Sequence, residues 1–190
     1  MTGYIKKENL IAGLIVAFFT FFIALLVSLG SEALVRVVNS VIVAIILLLI
    51  IICLGIFFDI IGTAATAANL PPFNARAAKK VFGAKQAVKI IRNNDLMANF
   101  CNDVIGDIAG TLSGAIGAGI IVSLSTRLAF IDLILGGAIM TSLIAALTVG
   151  GKAVGKGVAV NHANSIIFRV AVFLAWWEDI TGIEVFKNRR

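Results

Sequence analysis

The sequence predicts an all-α integral membrane protein with about four transmembrane helices, a basic amphipathic juxtamembrane helix and an interfacial C-terminal helix. Hydrophobic residues make up 60% of the 190 positions and charged residues only 14%, whereas soluble domains are about half apolar and about a quarter charged. The mean hydropathy is +1.05. Four spans of about 20 residues each use less than half of the chain. We therefore expect a single transmembrane domain over residues 1–190.

Four apolar stretches have the length of a membrane span. Residues 10–29 form the first, which is longer than the apolar region of a usual signal peptide. Residues 41–58, VIVAIILLLIIICLGIFF, contain no charge and predict the second span. Residues 96–122 and 128–149 predict the third and the fourth.

Two further segments are apolar on one side only. Pro71 and Pro72 end the helix that contains the second span. Over residues 73–92, apolar residues then recur at intervals of three and four, with six basic residues mostly between them. This pattern predicts a helix on an anionic membrane surface; a solvated helix in a juxtamembrane loop is the alternative. Residues 165–186 contain Trp176 and Trp177, which are typical of a membrane interface, and predict an interfacial helix.

The distribution of basic residues predicts the orientation. If the N-terminus is cytoplasmic and the chain crosses four times, 14 of the 16 lysines and arginines lie on the cytoplasmic side, leaving Arg36 and Arg127 outside. We therefore expect a multi-pass protein of the cell membrane with both termini in the cytoplasm. The anionic inner leaflet accounts for the basic charge, and no nucleic-acid partner is needed.

The third predicted span contains acids and glycines at helical spacing. Residues 99–119 read NFCNDVIGDIAGTLSGAIGAG, and residues three and four apart share one face of a helix. An ionised side chain at membrane depth normally faces a bundle interior or a water-filled cavity. We therefore predict a hydrophilic site between this helix and the polar end of the second span. Its candidate oxygen ligands and lining residues are Asp59, Thr63, Asn102, Asp103, Gly106 and Asp107.

These segments resemble three motifs of the transmembrane domain of the cyclin M / CorC family. Residues 57–70, FFDIIGTAATAANL, resemble the first motif, with Thr63, Ala64 and Asn69 as matching positions. The third span resembles the second motif. Residues 151–156, GKAVGK, resemble the family's Gly-Glu-x-x-Pro-Lys segment. The matching positions of the second motif are Asn102, Gly106, Ala109 and Gly110.

The resemblance implies a dimeric magnesium transporter that exports Mg²⁺ in exchange for Na⁺. It implies a cation site near residues 59–63, Asn102 and a turn at Gly150 and Gly151. The sequence departs from the family at three positions, because Gly62 and Lys152 stand where the family has glutamates and Gly155 stands where it has proline. The family's cytosolic CBS pair is absent from this sequence, and the span at residues 10–29 is additional.

Two functions follow from these observations. The first is transport of divalent cations, with Mg²⁺ the leading substrate, because carboxylate, amide and hydroxyl oxygens suit this hard cation. The second is a non-transporting structural or regulatory membrane subunit that kept the fold and pairs with another membrane protein. In that case the intramembrane acids are protonated or paired, for example with Lys152 or Lys156. Lys152 would repel a cation in the site. We expect no enzyme, since the sole histidine, His162, has no catalytic partners in sequence.

Overall fold

The computed structural model describes residues 13–15, 17–26, 28–29, 40–128, 132–184 and 186, and every regular element in these residues is a helix. An N-terminal apolar helix, α1, spans Gly13–Leu26. The helices that follow are α2 (Val41–Ala67), α3 (Leu70–Ala78), α4 (Ala84–Arg92), α5 (Asn94–Asn99), a π-helical segment (Phe100–Ile105), α6 (Gly106–Arg127), α7 (Leu133–Asn161) and α8 (Ala163–Thr181).

Three helices are long and apolar enough to cross a membrane. They cover Val41–Ala67, Asn94–Arg127 and Leu133–Asn161, and they confirm the prediction of a helical membrane protein. The first predicted span, residues 10–29, corresponds in part to the shorter helix α1. Residues 10–12, 16 and 27 of that span lie outside the described residues.

Helices α2, α6 and α7 pack through glycines. A Cβ added at Gly55 of α2 would lie 3.0 Å from the Cβ of Ala109 on α6. On α7, Gly155 lies against Ile60 of α2, where an added Cβ would lie 2.8 Å from Cγ1. Small residues at membrane helix interfaces allow backbones to approach closely. The apolar core of this bundle contains Ala44, Leu48, Ile52, Ile116, Ile120 and Ile144.

A second layer, formed by α3, α4 and α8, lies at one end of this bundle. We call it the end layer. It packs on the last turns of α2 and α7, where Ala64, Ala65 and Ala159 are buried. Phe73 of α3, Ala87 and Ile90 of α4, and Ile167 and Ala171 of α8 complete its core.

The predicted amphipathic helix over residues 73–92 is wrong as a single helix. The structure has two helices, α3 and α4, because Lys80 and Gly83 adopt left-handed conformations with φ of 56° and 80°. In addition, the apolar face of α4 packs against α8, with Ala84, Ala87 and Ile90 buried. Since protein covers this face, α4 does not offer it to lipid.

The structure also corrects the predicted turn at Gly150 and Gly151. Helix α7 continues through both glycines to Asn161, beyond the predicted end of the fourth span at residue 149, and it begins at Leu133 instead of residue 128. The resembled family has proline at the position of Gly155. Proline would clash with the preceding helical turn, whereas glycine allows helical hydrogen bonding to continue. The predicted interfacial helix, residues 165–186, corresponds to α8, Ala163–Thr181.

The predicted third span is longer than residues 96–122 and is not uniform. A continuous helical stretch of 34 residues, Asn94–Arg127, contains a π-helical segment at Phe100–Ile105. At its end, the backbone N–H of Gly106 donates to the carbonyl of Cys101, five residues earlier. Single π turns within α-helices occur frequently at functional sites, and this one contains Asn102.

Candidate functional site

An ion pair between a buried carboxylate and a partly exposed lysine joins α2 and α7. The Asp59 carboxylate on α2 lies 3.3 Å from the Lys152 ammonium on α7, measured from Oδ1 to Nζ. The Asp59 side chain is only 8% exposed, whereas the Lys152 side chain is 26% exposed. Lys152 therefore neutralises the only buried carboxylate among the described residues.

The π-helical segment brings Asn102 to the same place. A Cβ added at Gly62 would overlap the Asn102 side-chain amide and would lie 2.7 Å from its Cγ atom. Gly62 follows Asp59 by three residues, so both lie on one face of α2. Gly106 adjoins the ion pair, because an added Cβ there would lie 3.4 Å from Nζ of Lys152. We call Asp59, Gly62, Asn102, Gly106 and Lys152 the polar junction.

Two oxygen atoms of the polar junction are buried without a hydrogen bond. They are Oδ2 of Asp59 and Oδ1 of Asn102, for which the described part of the chain supplies no donor. Buried polar atoms are rarely left without a partner. Both atoms are hydrogen-bond acceptors. A bound cation, a proton on the Asp59 carboxyl group or a hydrogen-bond donor from another molecule would give them a partner.

Asp103 and Asp107, which the sequence placed on the same face as Asn102, point elsewhere. Both residues are exposed. They line a groove of about 500 Å³ together with Gly13, Ala17, Thr20 and Ala24 of α1. The structure therefore does not bring these acids to Asp59.

The remaining predicted ligands, Thr63, Gly150 and Gly151, are not members of the polar junction. Thr63 is partly buried on α2, and its carbonyl accepts a hydrogen bond from the Thr66 hydroxyl at 2.9 Å. Gly150 is exposed, with no other group within 4 Å of an added Cβ. Gly151 packs on Ile56, so its absent side chain serves the approach of α2 and α7.

The side chains present fit a Mg²⁺ site poorly. Mg²⁺ favours octahedral coordination by oxygen atoms and usually retains several waters. The polar junction offers one carboxylate and one amide, and the carboxylate already pairs with the Lys152 ammonium. Across the ranges that the structure describes, no three His, Cys, Asp or Glu side chains are grouped to hold a metal ion.

The predicted ligand set left out two members of the polar junction, Gly62 and Lys152, and only Lys152 carries a charge. The sequence indicated that Lys152 opposes a cation and could pair with an intramembrane acid, without indicating that the partner is Asp59. This pairing depends on the uninterrupted course of α7, which brings Gly151, Lys152 and Gly155 alongside α2. The contact was not predicted, because a turn at Gly150 would have ended the helix before Lys152. An uninterrupted helix would have placed Lys152 and Gly155 within one turn on one face.

Comparisons with known proteins add no assignment to this geometry. No protein-family model, curated protein or solved structure matches the chain.

Proposed function

We propose that this chain is a non-transporting membrane subunit, built on a helix core like that of the CorC family, which pairs with another membrane protein. The observation that supports this proposal is the contact of 3.3 Å between Lys152 and Asp59. The protein's own ammonium group occupies the position beside the carboxylate that a transported cation would take.

The charge of the polar junction explains why the contact opposes transport. Asp59 and Lys152 together carry no net charge, so entry of Mg²⁺ would leave two excess positive charges between buried helices. Charges of like sign repel strongly where the effective dielectric constant is low. A buried pair of opposite charges instead holds its two helices in one register, because separating the partners leaves a charge uncompensated.

The exposed acids Asp103 and Asp107, which lie outside the polar junction, support an association role. Asp103 and Asp107 lie on a helix long enough to span the membrane, yet both are exposed beside the groove next to α1. Exposure of carboxylates to lipid is unfavourable. A second copy of this chain or a different membrane subunit would cover them, in a cell-membrane assembly with both termini in the cytoplasm.

Transport of divalent cations, with Mg²⁺ as substrate and Na⁺ as coupling ion, is the second candidate function. The observation that favours it is the pair of buried acceptors, Oδ2 of Asp59 and Oδ1 of Asn102, that lack a donor among the described residues. In this mechanism Lys152, which is partly exposed, swings away from Asp59 when the cation enters.

Thermal unfolding in detergent against Mg²⁺ concentration separates the two functions. A ligand at about 100 times its dissociation constant stabilises the folded state by about 2.7 kcal/mol. We expect no change in the midpoint for the parent protein, with Ca²⁺ and Na⁺ tested in parallel. We also expect no Mg²⁺ flux in vesicles that contain the protein.

Two variants make the result specific. Asn102→Ala removes the amide from the polar junction, and Asn99→Ala removes an exposed amide from the same helix as a matched control. If Mg²⁺ raises the midpoint of the parent and of Asn99→Ala but not that of Asn102→Ala, the polar junction binds the cation. That result would overturn the non-transporting proposal in favour of transport.

A further inference from the structure

The end layer exposes large apolar side chains on the side away from its core. Phe82, in the turn between α3 and α4, is more than half exposed, as are Phe173 and Trp176 on α8. The rings of Phe173 and Trp176 lie 6.1 Å apart, centroid to centroid. Helix α8 is not among the candidate spans, so a transmembrane position does not account for this exposure. Contiguous exposed apolar surface marks an interaction site.

The turn between α3 and α4 is fixed against α8. Gly83 has φ of 80°, and a Cβ there would lie only 2.9 Å from the Cα of Val172. Only glycine fits this conformation and this close approach without strain. Because Val172 directly precedes Phe173, the turn borders the exposed face of α8. Val81 in the turn and Trp177 on α8 are exposed as well. We call Val81, Phe82, Phe173, Trp176 and Trp177 the aromatic surface.

Three lysines flank the turn part of the aromatic surface. Lys79 and Lys80 precede Val81, Lys85 follows Gly83, and all three are exposed. None of them forms an ion pair with a described residue, whereas Lys89 on the neighbouring turn of α4 pairs with Glu184 at 3.1 Å. An exposed acid, Asp179, lies near the end of α8. The turn nevertheless presents an excess of positive charge beside exposed rings.

We propose that the aromatic surface and these three lysines dock into the headgroup region of the protein's own bilayer and select anionic lipid. Trp side chains favour the membrane interface, where one part of the ring system is apolar and another is hydrated. Lysines near an anionic leaflet each add attraction of electrostatic origin. The contact differs from the one that the sequence predicted, because α8 covers the apolar face of α4 and the turn takes over the lipid contact.

Quenching of tryptophan fluorescence by brominated lipid tests the proposal. The full chain contains only two tryptophans, Trp176 and Trp177, and both belong to the aromatic surface. The protein is reconstituted in bilayers of phosphatidylglycerol and phosphatidylcholine at constant composition, with bromine on the acyl chains of one lipid or the other. We expect stronger quenching when phosphatidylglycerol carries the bromine.

The triple variant Lys79→Gln, Lys80→Gln, Lys85→Gln tests the origin of the selectivity. Its preference for phosphatidylglycerol should be lost, with quenching by the two lipids becoming equal, while the matched variant with arginine at the same positions should keep the preference. Circular dichroism checks that both variants are folded. Equal quenching by the two lipids, in the parent protein, would show that no anionic selection occurs and would overturn the proposal. Absence of quenching by either lipid would also overturn it, because a protein partner instead of lipid would then cover the surface.

Discussion

Asp59 and Asp107 are both carboxylates on helices long enough to span a membrane, and their environments are opposite. Asp59 is buried against Lys152 on α7. Asp107 is exposed and borders the groove next to α1. The difference shows that the position of an acid along an apolar helix does not decide whether the acid is buried and paired. The face of the helix on which it lies, and the residue that the neighbouring helix presents, decide whether the acid is paired.

The glycines near these two acids differ in the same way. Gly62 lies against the Asn102 side chain, whereas Gly110, one turn after Asp107, has nothing within 4 Å of an added Cβ. Glycine is therefore required for packing at the polar junction and has no steric role beside the exposed acid. Substitutions on the two faces should consequently change the free energy of unfolding by different amounts and in opposite directions.

The largest expected effect is that of Lys152→Met. Removal of one partner leaves the Asp59 carboxylate buried without a counter-charge, which costs about 3 kcal/mol in the free energy of unfolding. Equilibrium unfolding in mixed micelles measures this loss. Lys156→Met, at an exposed position one turn further along α7, serves as the control and should change little.

The double variant Asp59→Asn, Lys152→Met sharpens the same comparison. It removes both charges, so we expect it to recover most of the stability that Lys152→Met loses. A double variant as unstable as the sum of its single changes would show that the ion pair is not the cause.

Gly62→Ala should cost about 1–3 kcal/mol, because the new Cβ overlaps the Asn102 amide and forces a shift at a buried position. Gly110→Ala is the matched change on the exposed face and should raise stability by up to about 1 kcal/mol through helix propensity. Unfolding midpoints of the two variants provide the measurement. Equal shifts of the same sign would contradict the difference between the two faces.

Asp132 is a third acid, at the start of a span instead of within one. Its Oδ1 atom accepts a hydrogen bond of 2.8 Å from the backbone N–H of Leu135 and caps α7. Asp132→Ala should therefore lower stability by about 1 kcal/mol, whereas Asp132→Asn should keep most of the cap. Loss of equal size in both variants would assign the effect to charge instead of the hydrogen bond.

The smallest expected effect is that of Asp107→Asn. Because Asp107 is exposed and has no buried partner, its replacement should change the unfolding free energy of the isolated protein by less than about 0.5 kcal/mol. Unfolding in micelles measures the protein alone, and a crosslinking assay in native membranes measures its association. A loss of assembly with unchanged stability would support the role of this face in pairing, whereas an effect as large as that of Lys152→Met would contradict the comparison.

Much of the fold was predictable from local sequence. The uncharged run at residues 41–58 predicted a helix long and apolar enough to span a membrane, as α2 is. Pro71 and Pro72 predicted the end of that helix, and they lie in the first turn of α3. Periodicity also identified the apolar face of α4, although it did not predict that α8 packs on this face. The break at Lys80 and Gly83 was missed because a left-handed glycine becomes necessary only where the backbone of α8 approaches.

The candidate site was predictable only in part. Asp59, Asn102 and Gly106 lie together at the polar junction, while Asp103 and Asp107 do not join them. Spacing of three and four residues defines a broad face of a helix, about a third of its circumference or more. It cannot separate Asn102 from its neighbour Asp103, particularly where a π turn changes the helical phase.

The sequence by itself determined the class of protein, because long apolar runs are stable only where their side chains leave water and their backbone groups are bonded within a helix. It also determined which residues carry charge inside those runs. Tertiary structure alone decided which charge meets which. The pairing of Asp59 with Lys152 joins residues 93 positions apart (152 less 59), and it depends on the close approach of two helices at Gly151 and Gly155, a property of their packing and not of either helix alone.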